Sequence, residues 1–353
     1  MKILFICKRR QLNYSEWGDE NAPSGLLNSA IFVSDMLNDL GVESKVVQVI
    51  DNNSIDREVY NYKPTHVFIE AIWIVPEKFD ILKELHPSVK WTVRLHSEFP
   101  FLSNEGIAID WLFKYREKDI SIATNSSRIG ADLRRLLNGL GFDHYDGRFM
   151  WQKVSVLPNY YPVNLNYKEK KDKHPQILDV GCFGAIRPFK NQLIQAVAAI
   201  KFADMSDKHL RFHINYNRVE SGGNSVLSNI RALFANVEHD LVEHPWMPQQ
   251  RFLHVLKKID VGMQVSFSET YSVIAADMVN CNIPIVVSKE VRWTSSFSKA
   301  DANGVDDIVS KMSTAVHYPI LSKVNKYLLS MNSASSKRQW RKYIQEEIHS
   351  NGQ

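Results

Sequence analysis

The sequence predicts an α/β protein built from two doubly wound domains with mainly parallel sheets. Three observations predict it. Short apolar, β-branched runs alternate with helix-patterned runs from residue 2 onward. The alternation stops at a charged stretch, "YKEKKDKHPQ" (167–176), with almost nothing to bury, and then restarts in the same order. A chain of 353 residues is long enough for two separate cores.

In the first half, "KILFIC" (2–7), "ESKVVQVI" (43–50), "THVFIEAIWI" (65–74), "KWTVRLH" (90–96) and "ISIATN" (120–125) read as strands. Between the first two lies "GLLNSAIFVSDMLNDLG" (25–41), whose apolar residues recur every three or four positions, the period of a helix. "VSVLPNYYPVNLN" closes the domain, and the charged stretch after it is a linker. The second half offers "ILDVGCFG", "LRFHINY", "VEHDLVEHP", "DVGMQVS" and "IPIVVS" as strands with helices between them. The expected division is therefore 1–165, 166–330, and a final helix over 331–353 that packs back toward the first domain. Parallel sheets bind ligands beyond the carboxyl ends of their strands, so two such domains would face each other across a cleft.

Composition narrows the class. Hydrophobic residues make 44% of the chain and charged residues 23%, as in an ordinary globular protein. No run approaches the roughly 18 apolar residues of a membrane span. The start, "MKILFICKRR", has too short an apolar part for a secretory signal and no small-residue cleavage site. Cys7, Cys182 and Cys281 sit in or beside apolar runs, which suits buried thiols in a reducing cytoplasm. A net charge of +4 permits a polyanionic partner without demanding one. Histidines and cysteines show no metal-ligand spacing, and there is no Asp-x-Asp, P-loop or nucleophile elbow.

Two stretches carry chemistry. "VGCFGAIRPFKNQLIQAVAAI" (180–200) reads as strand, glycine turn and helix, with Arg187 and Lys190 flanking Pro188 where the helix is about to begin. A helix N-terminus presents unpaired N–H groups and partial positive charge, so two added cations suit a bound anion. They also suit a solvated turn with ordinary surface bases. The second stretch is "VSFSETYSVIAADMVNCNIPIVVS" (265–288). Glu269 and Asp277 are eight residues apart, a little over two helical turns, which would let both carboxylates look to one side. Thr270, Tyr271 and Ser272 would offer backbone N–H groups to an anion at that helix start. Carboxylates beside anion sites suit a ligand with both hydroxyls and phosphates, such as a nucleotide sugar. Acids favouring the helix dipole are the alternative.

These motifs resemble a known family. An upstream G-x-(I/L)-x-P-x-K-(G/N) turn and a later Glu-x7-acid pair are the pattern of retaining glycosyltransferases of family-4 type, whose GT-B fold has two Rossmann-like domains. "LPN" (157–159) resembles the end of that family's first domain, and "VRLHSEFPF" (93–101) its histidine-bearing strand end. "HPWMPQQRFLHVLKKIDVGMQVSFSE" (244–269) is similar to the segment leading into the acid pair. Asp277 departs from the pattern, being one methylene shorter than the usual glutamate. The resemblance implies that Gly184, Arg187 and Lys190 hold the donor diphosphate, that Glu269 takes sugar hydroxyls and that Asp277 takes the ribose. Thr270, Tyr271 and Ser272 would complete the donor site, and His96 would face the donor sugar and phosphate from the first domain. It further implies a nucleotide-sugar donor, UDP-sugars first, with cations and helix ends in place of a metal.

For the acceptor, the loop "CKRRQLNYSEWGDENAPSGLLNSA" (7–30) combines Lys8, Arg9 and Arg10 with Tyr14 and Trp17, then Ser24 and Gly25 opening a helix. Gly25 would allow close approach of a ligand to the backbone. Bases with aromatics suit nucleic acid. The stretch 68–112 resembles glycosyltransferases of tailed bacteriophages, which implies hydroxymethylated pyrimidines in duplex DNA as acceptor. A saccharide or lipid acceptor is the alternative, as is a GT-B sugar-nucleotide epimerase or a non-catalytic nucleic-acid binder. "SSRIGADLRRLLNGLGF" (126–142), with Arg128, Arg134 and Arg135, is an amphipathic helix that would meet an anionic membrane or simply cover the core.

Overall fold

Ile3, Leu4, Phe5 and Ile6 are all fully buried, as consecutive residues are only in a parallel strand covered on both faces. They belong to β1 (Lys2–Lys8), an interior strand of the first of two sheets, flanked by parallel strands on both sides. The computed structural model describes residues 1–9, 25–139, 154–166 and 174–350. Its first sheet adds β2 (Glu43–Val49), β3 (His66–Glu70), β4 (Lys90–Leu95), β5 (Ser121–Thr124) and β6 (Val154–Val156), in the order β2-β1-β3-β4-β5-β6. Every pairing is parallel. Helices α1 (Gly25–Asp39), α2 (Ser54–Tyr62), α3 (Lys78–Leu85), α4 (Phe99–Leu102), α5 (Ala108–Glu117) and α6 (Ser127–Gly139) supply the crossovers.

The second sheet is also parallel throughout. It comprises β7 (Ile177–Gly181), β8 (His209–Asn215), β9 (Asp240–His244), β10 (Val261–Gln264), β11 (Ile285–Ser288) and the short β12 (Lys299–Ala300). The order is β12-β11-β10-β7-β8-β9, so the chain reverses direction across the sheet between β7 and β10. A reversal of this kind opens a crevice beyond the strand ends. Around this sheet lie α7 (Gln192–Met205), α8 (Gly223–Phe234), α9 (Gln249–Leu256), α10 (Val273–Asn280) and α11 (Val305–His317). The last helix is α12 (Ile320–Ser350). Two compact units result: the first sheet with 26–160 and 333–353, and the second with 161–332. Both are Rossmann-like, doubly wound α/β domains, as the alternation predicts.

The third strand corrects the expectation of a run to residue 74. It ends at Glu70, because Ala71 turns to φ 72° and the chain leaves the sheet. Cys7, Cys182 and Cys281 are buried, and none of them forms a disulfide. In the first unit Trp340 of α12 is fully buried, edge-on to Phe5 and Phe68, and its Nε1–H donates to Pro158 O at 2.9 Å. Trp340→Phe removes that hydrogen bond and leaves a small void. Denaturant unfolding should register a loss of about 1–2 kcal/mol.

Candidate active site

Arg187, Lys190 and Glu269 come together at the carboxyl ends of β7 and β10, where the second sheet reverses. After β7 the chain passes Gly184 at φ 119°, a conformation that a side chain would strain, and its N–H donates to Asn215 Oδ1 at 3.0 Å. A single 3₁₀ turn, Pro188–Lys190, then precedes α7. Asn191, at φ 57°, joins the two, and its Nδ2 donates to Val265 O at 3.0 Å and Ala302 O at 2.8 Å. The Phe267 N–H donates to Phe189 O at 2.9 Å. These bonds fasten the loop after β10 onto the turn after β7, and so bring Lys190 against Glu269 from 79 residues away.

Lys190 Nζ donates to Glu269 Oε2, and both side chains are only 12% exposed. Arg187 lies 3.5 Å from Glu220 Oε2, and Glu220 Oε1 also accepts from Arg218 Nε at 2.8 Å. Arg187 and Lys190 therefore sit half-sheltered and ion-paired, unlike the ordinary surface bases of a solvated turn. Burial alone would raise the Glu269 carboxyl. Lys190, Arg187 and the Tyr271 N–H outweigh it and hold the group below the ordinary carboxylate range. The Thr270 N–H adds a donor at 3.2 Å from Glu269 Oε1. Three cations and two carboxylates thus share this turn, leaving one positive charge in excess.

The two acids of the pair sit in different local structures. Glu269 lies in the loop, and α10 starts only at Val273. Ser272 caps it at φ 61°, its Oγ accepting from Ala275 N at 3.3 Å. Tyr271 is buried, with its carbonyl accepting from Trp293 Nε1 at 2.7 Å. Asp277 sits inside the helix at 3% exposure, where Oδ1 accepts from Tyr161 Oη at 2.6 Å and Gln249 Nε2 at 3.0 Å. Burial pushes its carboxyl up to about 6, against the two hydrogen bonds. Nothing in the sequence marked Tyr161, Gln249, Arg218 or Glu220, since each is polar in a polar loop or helix start.

In the first unit His96 follows β4 and lies half-buried beside Glu70 and Arg94. Each of these was visible as a lone charge in an apolar strand, yet the sequence does not say that they meet. Gly25 is the first residue of α1. Lys8 ends β1, and Arg9 is exposed beside it, whereas Arg10, Tyr14, Trp17 and Ser24 lie outside the described residues. On α6, Ile129, Leu133 and Leu137 are buried. Arg134 donates to Val154 O at 3.1 Å and Arg128 pairs with Glu98 at 3.1 Å, so the apolar stripe of this helix covers the core. Among the described residues no helix is long and apolar enough to cross a membrane, and no group of three or more His, Cys, Asp or Glu could hold a metal ion.

No protein-family model matches the sequence, and no curated protein matches it significantly. Solved structures do match. The chain superposes on sucrose-phosphate synthase from Thermosynechococcus elongatus with a TM-score of 0.72 and 11% identity, covering 99% of this chain and 100% of that one. For α,α-trehalose 6-phosphate synthase from Burkholderia multivorans the values are 0.65, 10%, 99% and 97%. For Anabaena HepE in complex with UDP-glucose they are 0.61, 11%, 98% and 100%. The likeness runs over both units and shows the GT-B fold.

Proposed function

We propose that the chain is a retaining glycosyltransferase that takes a nucleotide sugar, a UDP-sugar first, as donor. The observation that carries this is the cluster of Arg187, Lys190 and Glu269 at the strand ends where the second sheet reverses. Anionic ligands of doubly wound sheets bind at such a point. A diphosphate there replaces Glu269 as the partner of Lys190 and draws Arg187 from Glu220. The freed Glu269 carboxylate, steadied by the backbone N–H groups of Thr270 and Tyr271, then accepts hydroxyls of the donor sugar. As the bond from the anomeric carbon to the diphosphate oxygen breaks, negative charge grows on the leaving oxygen. Both cations are already in place to meet it, and this pre-placement is where the rate is gained. Asp277 and Gly184 border the nucleotide in this reading, and no metal takes part.

For the acceptor, a saccharide hydroxyl has more support than DNA. The similar structures include a sucrose-phosphate synthase and an α,α-trehalose 6-phosphate synthase. DNA rests on a resemblance of the first domain to bacteriophage enzymes, with Lys8, Arg9 and Arg10 as phosphate contacts. If those three bind duplex DNA, log affinity falls with log salt by about 0.9 per phosphate contact, and their replacement by alanine flattens the slope. A saccharide acceptor predicts no such dependence.

Thermal unfolding with UDP, UDP-glucose and other nucleotide sugars tests the donor. A ligand one hundredfold above its Kd adds about 2.7 kcal/mol of stability. Absence of any shift across the set would refute the reading. Transfer to an acceptor separates a transferase from an epimerase, which converts the donor alone. EDTA should leave turnover unchanged, and a loss restored by magnesium would overturn the metal-free mechanism.

A further inference from the structure

Glu220 stands between two guanidinium groups in the second unit. It lies in the short segment between β8 and α8, and that segment is fastened to the turn carrying Arg187. The Ile186 N–H donates to Arg218 O at 2.8 Å and the Glu220 N–H to Ile186 O at 2.9 Å, which makes a parallel bridge of Ile186 with Val219. The approach is close. A Cβ on Gly223 would sit 2.0 Å from Ile186 O, so only glycine fits there. Ser221 is held at φ 44°, a conformation that costs a non-glycine residue energy. Arg187 and Glu220 each lie one residue beyond the bridge, and the paired backbone delivers one side chain to the other.

The carboxylate is shared unevenly. Oε1 accepts from Arg218 Nε at 2.8 Å, whereas Oε2 is 3.5 Å from Arg187 Nη1, the outer limit of a hydrogen bond. Arg218 is held a second time, its guanidinium lying 4.2 Å over the Trp246 ring. Arg218 therefore keeps Glu220 when Arg187 moves away, and Arg187 can move without stranding a sheltered carboxylate. The loosely held arginine is the one assigned above to the diphosphate.

We propose that Glu220 is an internal counterion that competes with the diphosphate for Arg187 and so limits how tightly the site holds its nucleotide. This rests on the nucleotide-sugar reading for the identity of the ligand. A diphosphate that takes Arg187 also meets the Glu220 carboxylate close by, and like charges at contact distance repel. By holding Arg187 still, Glu220 also spares some side-chain entropy on binding, which acts the other way. Repulsion is the larger effect here. The side chains of Arg187, Arg218 and Glu220 are only 21%, 11% and 16% exposed, so water and salt screen the charges little. The nucleoside diphosphate left after transfer keeps the same phosphates, so Glu220 also speeds its release. Glu220 acts through Arg187 and is a positioning residue, one that weakens binding.

Isothermal titration with UDP tests this. Glu220→Gln should bind UDP about tenfold more tightly than wild type, the low end of what one charge-assisted hydrogen bond is worth. Glu243→Gln removes an equal charge, from the ion pair of β9 with Arg231, and should leave the affinity unchanged. In an Arg187→Gln background the gain from Glu220→Gln should fall to about twofold or less, because the competition runs through Arg187. UDP should also inhibit turnover more strongly in Glu220→Gln. Unchanged or weaker UDP binding by that variant would overturn the proposal, as would an undiminished gain in the Arg187→Gln background. If Glu220→Gln does not fold, Glu220→Asp serves in its place, since its carboxylate falls one methylene short of Arg187. It should bind UDP about threefold more tightly, and an unchanged affinity would overturn the proposal equally. Inorganic pyrophosphate, titrated into the same proteins, separates this proposal from the functional reading. If pyrophosphate binds, and more tightly to Glu220→Gln, while UDP does not, the nucleotide reading fails and the competition stands. If neither binds, both fail.

Discussion

Lys190→Ala is expected to lower turnover of the nucleotide sugar by about 10²–10³-fold, the usual cost of removing one stabiliser of transition-state charge in a sheltered site. The reason is geometric. Lys190 is presented by a turn that Asn191 and the Phe267–Phe189 hydrogen bond clamp to the loop after β10, so its ammonium needs no reorganisation to meet a leaving diphosphate. The same substitution leaves Glu269 sheltered without its cation, and should cost about 2 kcal/mol of stability at neutral pH, less than a fully buried pair because both groups retain some water. The pH dependence follows from the depressed Glu269 carboxyl. A group whose folded pKa lies below its unfolded value stabilises the fold above the unfolded value, near 4.5, and that contribution disappears as pH falls through the folded one. The deficit of Lys190→Ala should therefore be full at pH 7 and shrink below about pH 4. Steady-state turnover and denaturant unfolding at the two pH values check both halves. Near-wild-type turnover with the stability loss intact would make the pair a structural clasp alone.

Asp277→Asn should act in opposite directions on stability and on binding. Burial raises the Asp277 carboxyl from its usual 3.8 to about 6. A carboxyl raised on folding binds its proton more tightly in the folded state, so stability falls as pH climbs from 3.8 to about 6 and stays low above it. Asparagine carries no such charge, yet its Oδ1 can still accept from Tyr161 and Gln249. The variant should thus be more stable than wild type at pH 8 by about 2 kcal/mol, with the gain vanishing below about pH 4. If Asp277 takes the ribose as an ionised acceptor, UDP should bind the variant about tenfold more weakly, the loss of one charge-assisted hydrogen bond. Thermal melts across pH and a UDP titration separate the effects. Equal stability at pH 8 would show that the buried carboxylate costs nothing, and unchanged UDP affinity would remove the ribose role.

Two parallel α/β domains are legible in the residue order alone, because a strand buried on both faces must read as an unbroken apolar run and a crossover helix as a 3.6-residue period. "KILFIC" became β1 and the "ILDVGCFG" run became β7 for that reason. The residue order also marked Arg187, Lys190 and Glu269, since cations and an acid in turns where a helix is about to begin suit a ligand with both phosphates and hydroxyls. Local periodicity could not decide how far a strand runs or which distant charges meet. β3 stops at Glu70 because the backbone turns at Ala71, although Ile72 and Ile74 continue the apolar pattern. The partnerships of Lys190 with Glu269, Asp277 with Tyr161, and His96 with Glu70 span 79, 116 and 26 residues. These partnerships come from the three-dimensional fold, because strand order and loop-to-loop hydrogen bonds, which no short window of sequence encodes, bring those side chains into contact.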